Sequence, residues 1–215
     1  MQMSITLAII IVTCLVSIGG FSSQKIIDDL IFYPPAVTEQ NQWYRFFSCG
    51  LIHADFLHLA FNMFSLYMFG GLVERFFVDT IFGAKGRILY LVMYLVALLV
   101  CLLPTFFKHK HDYNYRSLGA SGAVSAVVFA GLLLMPTVRV GLLYIPPIIP
   151  GYIFGPLYLI ISTVLEKRGG GNINHSAHVW GALFGIAFVI VGANFLSDYR
   201  PVQEFLQQVK TDLGA

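Results

Sequence analysis

The stretch Ile88–Phe107, ILYLVMYLVALLVCLLPTFF, runs for twenty residues without a charged side chain. At 1.5 Å of rise per residue such a helix is about 30 Å long, the thickness of a bilayer's hydrocarbon core. The same ruler, laid along the chain, finds six spans at roughly 3–21, 57–77, 87–107, 117–135, 147–165 and 177–196. These runs are too long and too weakly alternating for the strands of a membrane barrel. The predicted fold class is therefore all-α, a polytopic bundle of six transmembrane helices. Composition agrees: 57% of the 215 residues are hydrophobic and 11% charged, where soluble domains carry roughly 25% charged residues.

The domain division follows from the spans. Residues 1–198 form the six-helix core, with a long first loop at about 22–56, and residues 199–215 form a short tail. That first loop is rich in aromatic residues, among them Trp43, Tyr44, Phe46 and Phe47, which suits the headgroup layer. In the tail, Val202, Phe205, Leu206, Val209 and Leu213 fall on one stripe, predicting an amphipathic helix lying on the membrane surface. Pro146, Pro147 and Pro150 interrupt the start of the fifth span, so an irregular segment is expected there, with helix from about Gly151. The N-terminal run lacks a basic flank and an Ala-x-Ala-like cleavage site, and reads as a retained first helix.

Charge excludes several functions. A formal net charge of +2, with basic residues scattered, offers no nucleic-acid surface. Cys14, Cys49 and Cys101 lie in apolar surroundings and suggest neither a disulfide framework nor a zinc site. His53, Asp55 and His58 lack the His-Glu-x-x-His spacing of a membrane metalloprotease, so no metal and no other cofactor is expected. Six Lys and Arg fall on the terminal side of the span map and seven opposite, which leaves the positive-inside rule silent.

Intramembrane polar residues remain as the carriers of function. The second, fourth and sixth spans enter the membrane from one side, so His58 and Asn62, Ser121, and His178 converge at similar depth. A serine hydroxyl needs a base to take its proton, and neutral imidazole suits that task near neutral pH. Ser121 with His178 meets the requirement as nucleophile and general base. His58 and Asn62, four residues apart on one helical face, can aim donors at a developing oxyanion, as can the Ser121 backbone N–H at a helix start. Read singly, each piece has a duller meaning. Gly119-Ala120-Ser121-Gly122 is a small-residue packing face, His178 and Asn62 are interhelical hydrogen-bond partners, and Gly181 and Gly185 let two helices approach closely.

Together the pieces resemble the rhomboid family of intramembrane serine proteases. His58-Leu59-Ala60-Phe61-Asn62 looks like its H-x-x-x-N motif, Gly119-Ala120-Ser121-Gly122 its G-x-S-G, and Ala177-His178-Val179-Trp180-Gly181 with Gly185 its A-H-x-x-G-x-x-x-G. Trp43-Tyr44-Arg45 sits near the family's first-loop Trp-Arg motif, and Gly70-Gly71-Leu72-Val73-Glu74 closes the second helix similarly. The resemblance implies a Ser-His dyad without aspartate, transmembrane proteins as substrates and the lipid bilayer as the other partner. It further implies a fifth helix and following loop, here Gly151 to Ala177, that gate substrate entry. The compact form resembles bacterial members, which implies an inner membrane with the site opening to the outer side. Two departures stand out: Tyr44 splits the Trp-Arg pair, and Ser125 occupies the place where some members carry a tyrosine against the catalytic histidine. A non-proteolytic, derlin-like membrane-protein binder is the alternative, although such proteins usually lack the serine or the histidine. A transporter is disfavoured by the absence of a repeated half and of an intramembrane carboxylate suited to a proton relay.

Overall fold

The computed structural model describes residues 4–142, 145–168 and 173–214. Of the expected ranges, residue 3 of the first span, residues 169–172 before the last span and residue 215 of the tail lie outside these. The chain opens with α1 (Ile5–Phe21), then three short helices, α2 (Gln24–Leu30), α3 (Pro34–Gln40) and α4 (Arg45–Ser48). A long α5 (Phe56–Phe76) ends in a π-type turn, Phe77–Ile81, and α6 (Gly86–His109) and α7 (Ser121–Leu134) follow. The antiparallel pair β1 (Arg139–Leu142) and β2 (Ile145–Pro150) leads into α8 (Gly151–Arg168), α9 (His175–Leu196) and α10 (Pro201–Leu213).

Three helical stretches, Phe56–Ile81, Gly83–His109 and His175–Leu196, are long and apolar enough to cross a bilayer. The other three expected spans differ in kind. α1 and α7 are apolar but have 17 and 14 residues, and α8 has 18 and closes on Glu166-Lys167-Arg168. Large apolar side chains point outward along the helices, among them Leu15, Leu57, Phe64, Ile160 and Phe195. Such an exterior is stable only against lipid, and the chain is an integral membrane protein.

α7 is the central element, with 11 of its 14 residues buried. Gly122, Ala123, Ser125, Ala126, Ala130 and Gly131 make it slim enough for neighbours to close in on every side. Its most extensive contact is with α9, followed by α6 against α9 and α5 against α7. The sequence assigned the core to the even-numbered spans. α6 joins them, burying Tyr90, Met93, Tyr94, Ala97, Leu98 and Cys101.

The start of α7 departs from the expected 117–135. Ser117 is instead bridged to the first loop, its N–H donating to Phe32 O at 3.1 Å while its carbonyl accepts from Phe32 N at 3.0 Å. Gly119 adopts a φ of +111°, which L side chains rarely tolerate, and donates to Cys49 O at 2.9 Å. Helix therefore begins only at Ser121. At that level Gly122 packs on Cys101, eight residues before the end of α6 at His109. By the helical rise, the start of α7 lies about 12 Å below the end of α6.

The long first loop holds α2, α3 and α4, which the sequence did not mark. Helices of seven, seven and four residues are too short for apolar periodicity to register. Tertiary contacts hold them instead. The buried Arg45 guanidinium donates to Asp28 O at 2.9 Å and Ile31 O at 2.7 Å, satisfying carbonyls at the end of α2. Phe46 sits edge-on to Phe32 at 4.9 Å and packs on Phe106 of α6 at 5.6 Å. On the far side, Glu74 of α5 caps α1, accepting from Ile5 N at 2.8 Å, Thr6 N at 3.0 Å and the Thr6 hydroxyl at 2.9 Å.

Candidate active site

Three helix N-termini meet beneath the first loop. α5 is capped by Asp55, whose carboxylate accepts from His58 N at 2.7 Å, and α9 by Asn174, whose side chain accepts from Ala177 N at 3.0 Å. Each cap satisfies an N–H that the helix itself leaves unpaired, so His58 and His178 sit on well-defined first turns. Asn174 is fixed in turn by Thr105 of α6 and by the Tyr115 hydroxyl, at 3.0 and 3.1 Å. Ser121 is the first residue of α7.

Backbone contact sets the separation of α7 and α9. A side chain at Gly181 would collide with the backbone of Gly122, and one at Gly185 with the backbone of Ala126. Those two points lie four residues apart on both helices, so the axes touch along a full turn. His178, one turn before Gly181, is thereby carried to Ser121. The distance from His178 Nε2 to Ser121 Oγ is 2.7 Å, within a good hydrogen bond.

His58 lies against the turn that precedes Ser121. A Cβ on Gly119 would stand 2.7 Å from its Cε1 and 3.0 Å from its Nε2. Asn62 is buried on the same face of α5, and its amide donates to His58 O at 3.0 Å. That bond uses one of the two amide N–H groups and leaves the second. The first N–H groups of α7 likewise have no partner within the helix. A hydroxyl and an imidazole are thus in hydrogen-bond contact, with His58 against the adjoining turn and Asn62 bonded to the His58 carbonyl.

His53 underlies the turn. It is 1% exposed, its Nδ1 lies 2.9 Å from Ser17 Oγ, and its Nε2 accepts from Ala120 N at 3.5 Å. Ser17 donates onward to Leu51 O at 2.8 Å. Accepting at Nε2 requires the proton on Nδ1, so the ring ties α1 to the Gly119-Ala120 turn as a neutral imidazole. Burial, then the neighbouring His58, push its pKa down to about 4, against a smaller opposing effect of Asp55.

Residues 40–195 match the family model described as Rhomboid domain. The chain belongs to the rhomboid family. Among curated rhomboids, it is 28% identical over 180 residues to Rhomboid-like protein 15 of Arabidopsis thaliana, covering 78% of this chain and 41% of that one. Putative rhomboid protease YdcA of Bacillus subtilis is 27% identical over 147 residues, covering 67% and 65%. Rhomboid protease GlpG of Haemophilus influenzae is 29% identical over 104 residues, covering 47% and 48%. The chain spans less than two thirds of the length of each of these rhomboids.

One site residue escaped the sequence reading. Tyr158 of α8 places its hydroxyl 3.2 Å from His178 Nδ1, the ring nitrogen turned away from Ser121. In the sequence it is an ordinary aromatic of an apolar run, and nothing local marks it. The clue was indirect: with Ser125 in place of a tyrosine, the rhomboid histidine needed a partner from elsewhere.

Proposed function

We propose that this rhomboid is an intramembrane serine protease that hydrolyses peptide bonds in or near transmembrane segments of membrane proteins. The observation that carries the reading is the 2.7 Å contact between His178 Nε2 and Ser121 Oγ, made about 12 Å below the end of α6. His178 takes the hydroxyl proton as Ser121 Oγ bonds to the scissile carbonyl carbon. The resulting oxyanion is met by the Ser121 N–H, His58 and Asn62, each such donor being worth about 10²- to 10³-fold in rate. His178 then gives its proton to the leaving amine, and a water, deprotonated by the same imidazole, releases the acyl group. We read all six long helices as spans, with the short α7 enclosed by its neighbours. The family resemblance supports a bacterial inner membrane with the site open to the outer side.

Purified protein in detergent or lipid is expected to cleave a model transmembrane substrate and to react with a fluorophosphonate. Both activities should vanish in Ser121→Ala. Cleavage that persists in that variant would refute the assignment, and a wild type that binds the substrate without cutting or labelling would point to a non-proteolytic binder.

A further inference from the structure

We propose that Tyr158 is the positioning residue for His178, delivered to the dyad by α8, so that the imidazole is correctly oriented only while α8 is seated. This rests on reading Ser121 and His178 as a hydrolytic pair.

Among the described residues, the hydrogen-bond partners of the His178 ring are Ser121 at Nε2 and the Tyr158 hydroxyl at Nδ1. A neutral imidazole carries one proton, and Nε2 can take the serine's proton only if that proton sits on Nδ1. Nδ1–H then needs an acceptor. The Tyr158 oxygen fills that role, as a carboxylate does in triads.

The phenol's own proton must then point away from Nδ1, on the side where two buried serines lie. Ser125 of α7 and Ser162 of α8 are the buried hydroxyl-bearing neighbours of the phenol. Ser125 lies one turn beyond Ser121, and its small side chain leaves the room that the phenol fills. The ring itself is steadied by Phe129 at 5.6 Å and Phe154 at 5.9 Å. Position 125 is therefore not a missing support. The support crosses from the opposite helix, and Ser125 accommodates it.

The seat of α8 is narrow. Its buried residues are Gly151, Gly155 and Ser162, while Ile153, Leu157, Ile160 and Ile161 face outward. Polar links hold its ends: Tyr152 donates to Asp212 of α10 at 3.1 Å, and Glu166 accepts from Ser176 N of α9 at 3.0 Å and pairs with Lys108 of α6 at 3.5 Å. A displacement of α8 by about 1 Å would take the phenol out of hydrogen-bond reach of Nδ1. The imidazole would then be free to turn away from Ser121.

Tyr158→Phe keeps the ring and removes the hydroxyl. We expect kcat on a transmembrane substrate to fall about tenfold or more with KM within about twofold, because the lost bond orients the base rather than the substrate. Labelling by a small fluorophosphonate, which does not depend on docking a transmembrane segment, should slow by a similar factor with the melting temperature unchanged. Ser162→Ala should give a smaller loss of the same pattern. Labelling at the wild-type rate would overturn the proposal, whether or not substrate cleavage fell, as would a rise in KM alone. Failure of the underlying reading looks different: wild type would not be labelled at all, or Ser121→Ala would remain active.

Discussion

His53 illustrates how a residue off the reaction path shapes the site. Its imidazole joins α1 to the turn before Ser121 in the neutral form, and its pKa is pushed from 6.5 down to about 4 by burial and by His58. An unfolded chain protonates this histidine near 6.5, whereas the folded chain resists until about 4. Between those values the unfolded state binds more protons, so the contribution to stability present above pH 6.5 is lost as pH falls toward 4. The melting temperature in detergent is expected to drop over that window, and His53→Gln should flatten the drop. An unchanged pH dependence in the variant would contradict the role. Legibility at this scale was uneven. Residue types and spacing picked out Ser121, His178, His58 and Asn62, because polar groups are conspicuous in apolar runs. Tyr158 was invisible, since its partner lies 20 residues away on another helix and a tyrosine in an apolar span draws no notice.

Among the elements, the pairing of α7 with α9 is the contact on which the site geometry depends. Gly181 and Gly185 bring backbone onto backbone, and no flexible side chain lies between to absorb a change. Gly181→Ala is expected to lower the melting temperature, overpacking costing about 1–3 kcal/mol, and to slow fluorophosphonate labelling at least about tenfold by moving His178 off Ser121. Gly71→Ala provides the control, for a Cβ there meets nothing within 4 Å. That variant should hold or slightly raise stability. Should both variants behave alike, the close approach would have no bearing on the dyad. The apolar runs located these helices well, yet they set the start of α7 four residues early. Hydropathy measures apolar character and not backbone path: Ser117–Ala120 is partly to fully buried but is drawn out by Phe32, Cys49 and the positive φ of Gly119. Likewise, the prolines before α8 announced an interruption without revealing a hairpin.

For the molecule as a whole, the fold follows from two demands, outward apolar surface for lipid and polar side chains gathered at one end of the central helices. The first was plain in composition. The second depends on the unequal lengths of the helices, which follows from tertiary contacts that single-chain periodicity does not encode. The polar residues of the site cluster at one end of α5, α7 and α9. Beyond them α7 continues as Val124, Val127, Ala130 and Leu134, packed with Leu66, Val73, Phe77 and Val189 into one apolar cluster.

The stack of apolar side chains below Ser121 bears on the membrane's energetics as much as on catalysis. The proposed hydrolysis requires water at Ser121, but a hydrated thread continuing past it would short-circuit the electrochemical gradient of the host membrane. The apolar layer of Val127, Ala130 and Leu134 with Leu66, Val73, Phe77 and Val189 is an insulator in that sense. Liposomes carrying the protein are expected to hold an imposed pH difference with a leak within about twofold of protein-free liposomes, because the cluster below Ser121 is built of buried apolar side chains. Replacing Val127 by Asp should raise the leak; tight vesicles in that variant would mean that the barrier lies elsewhere.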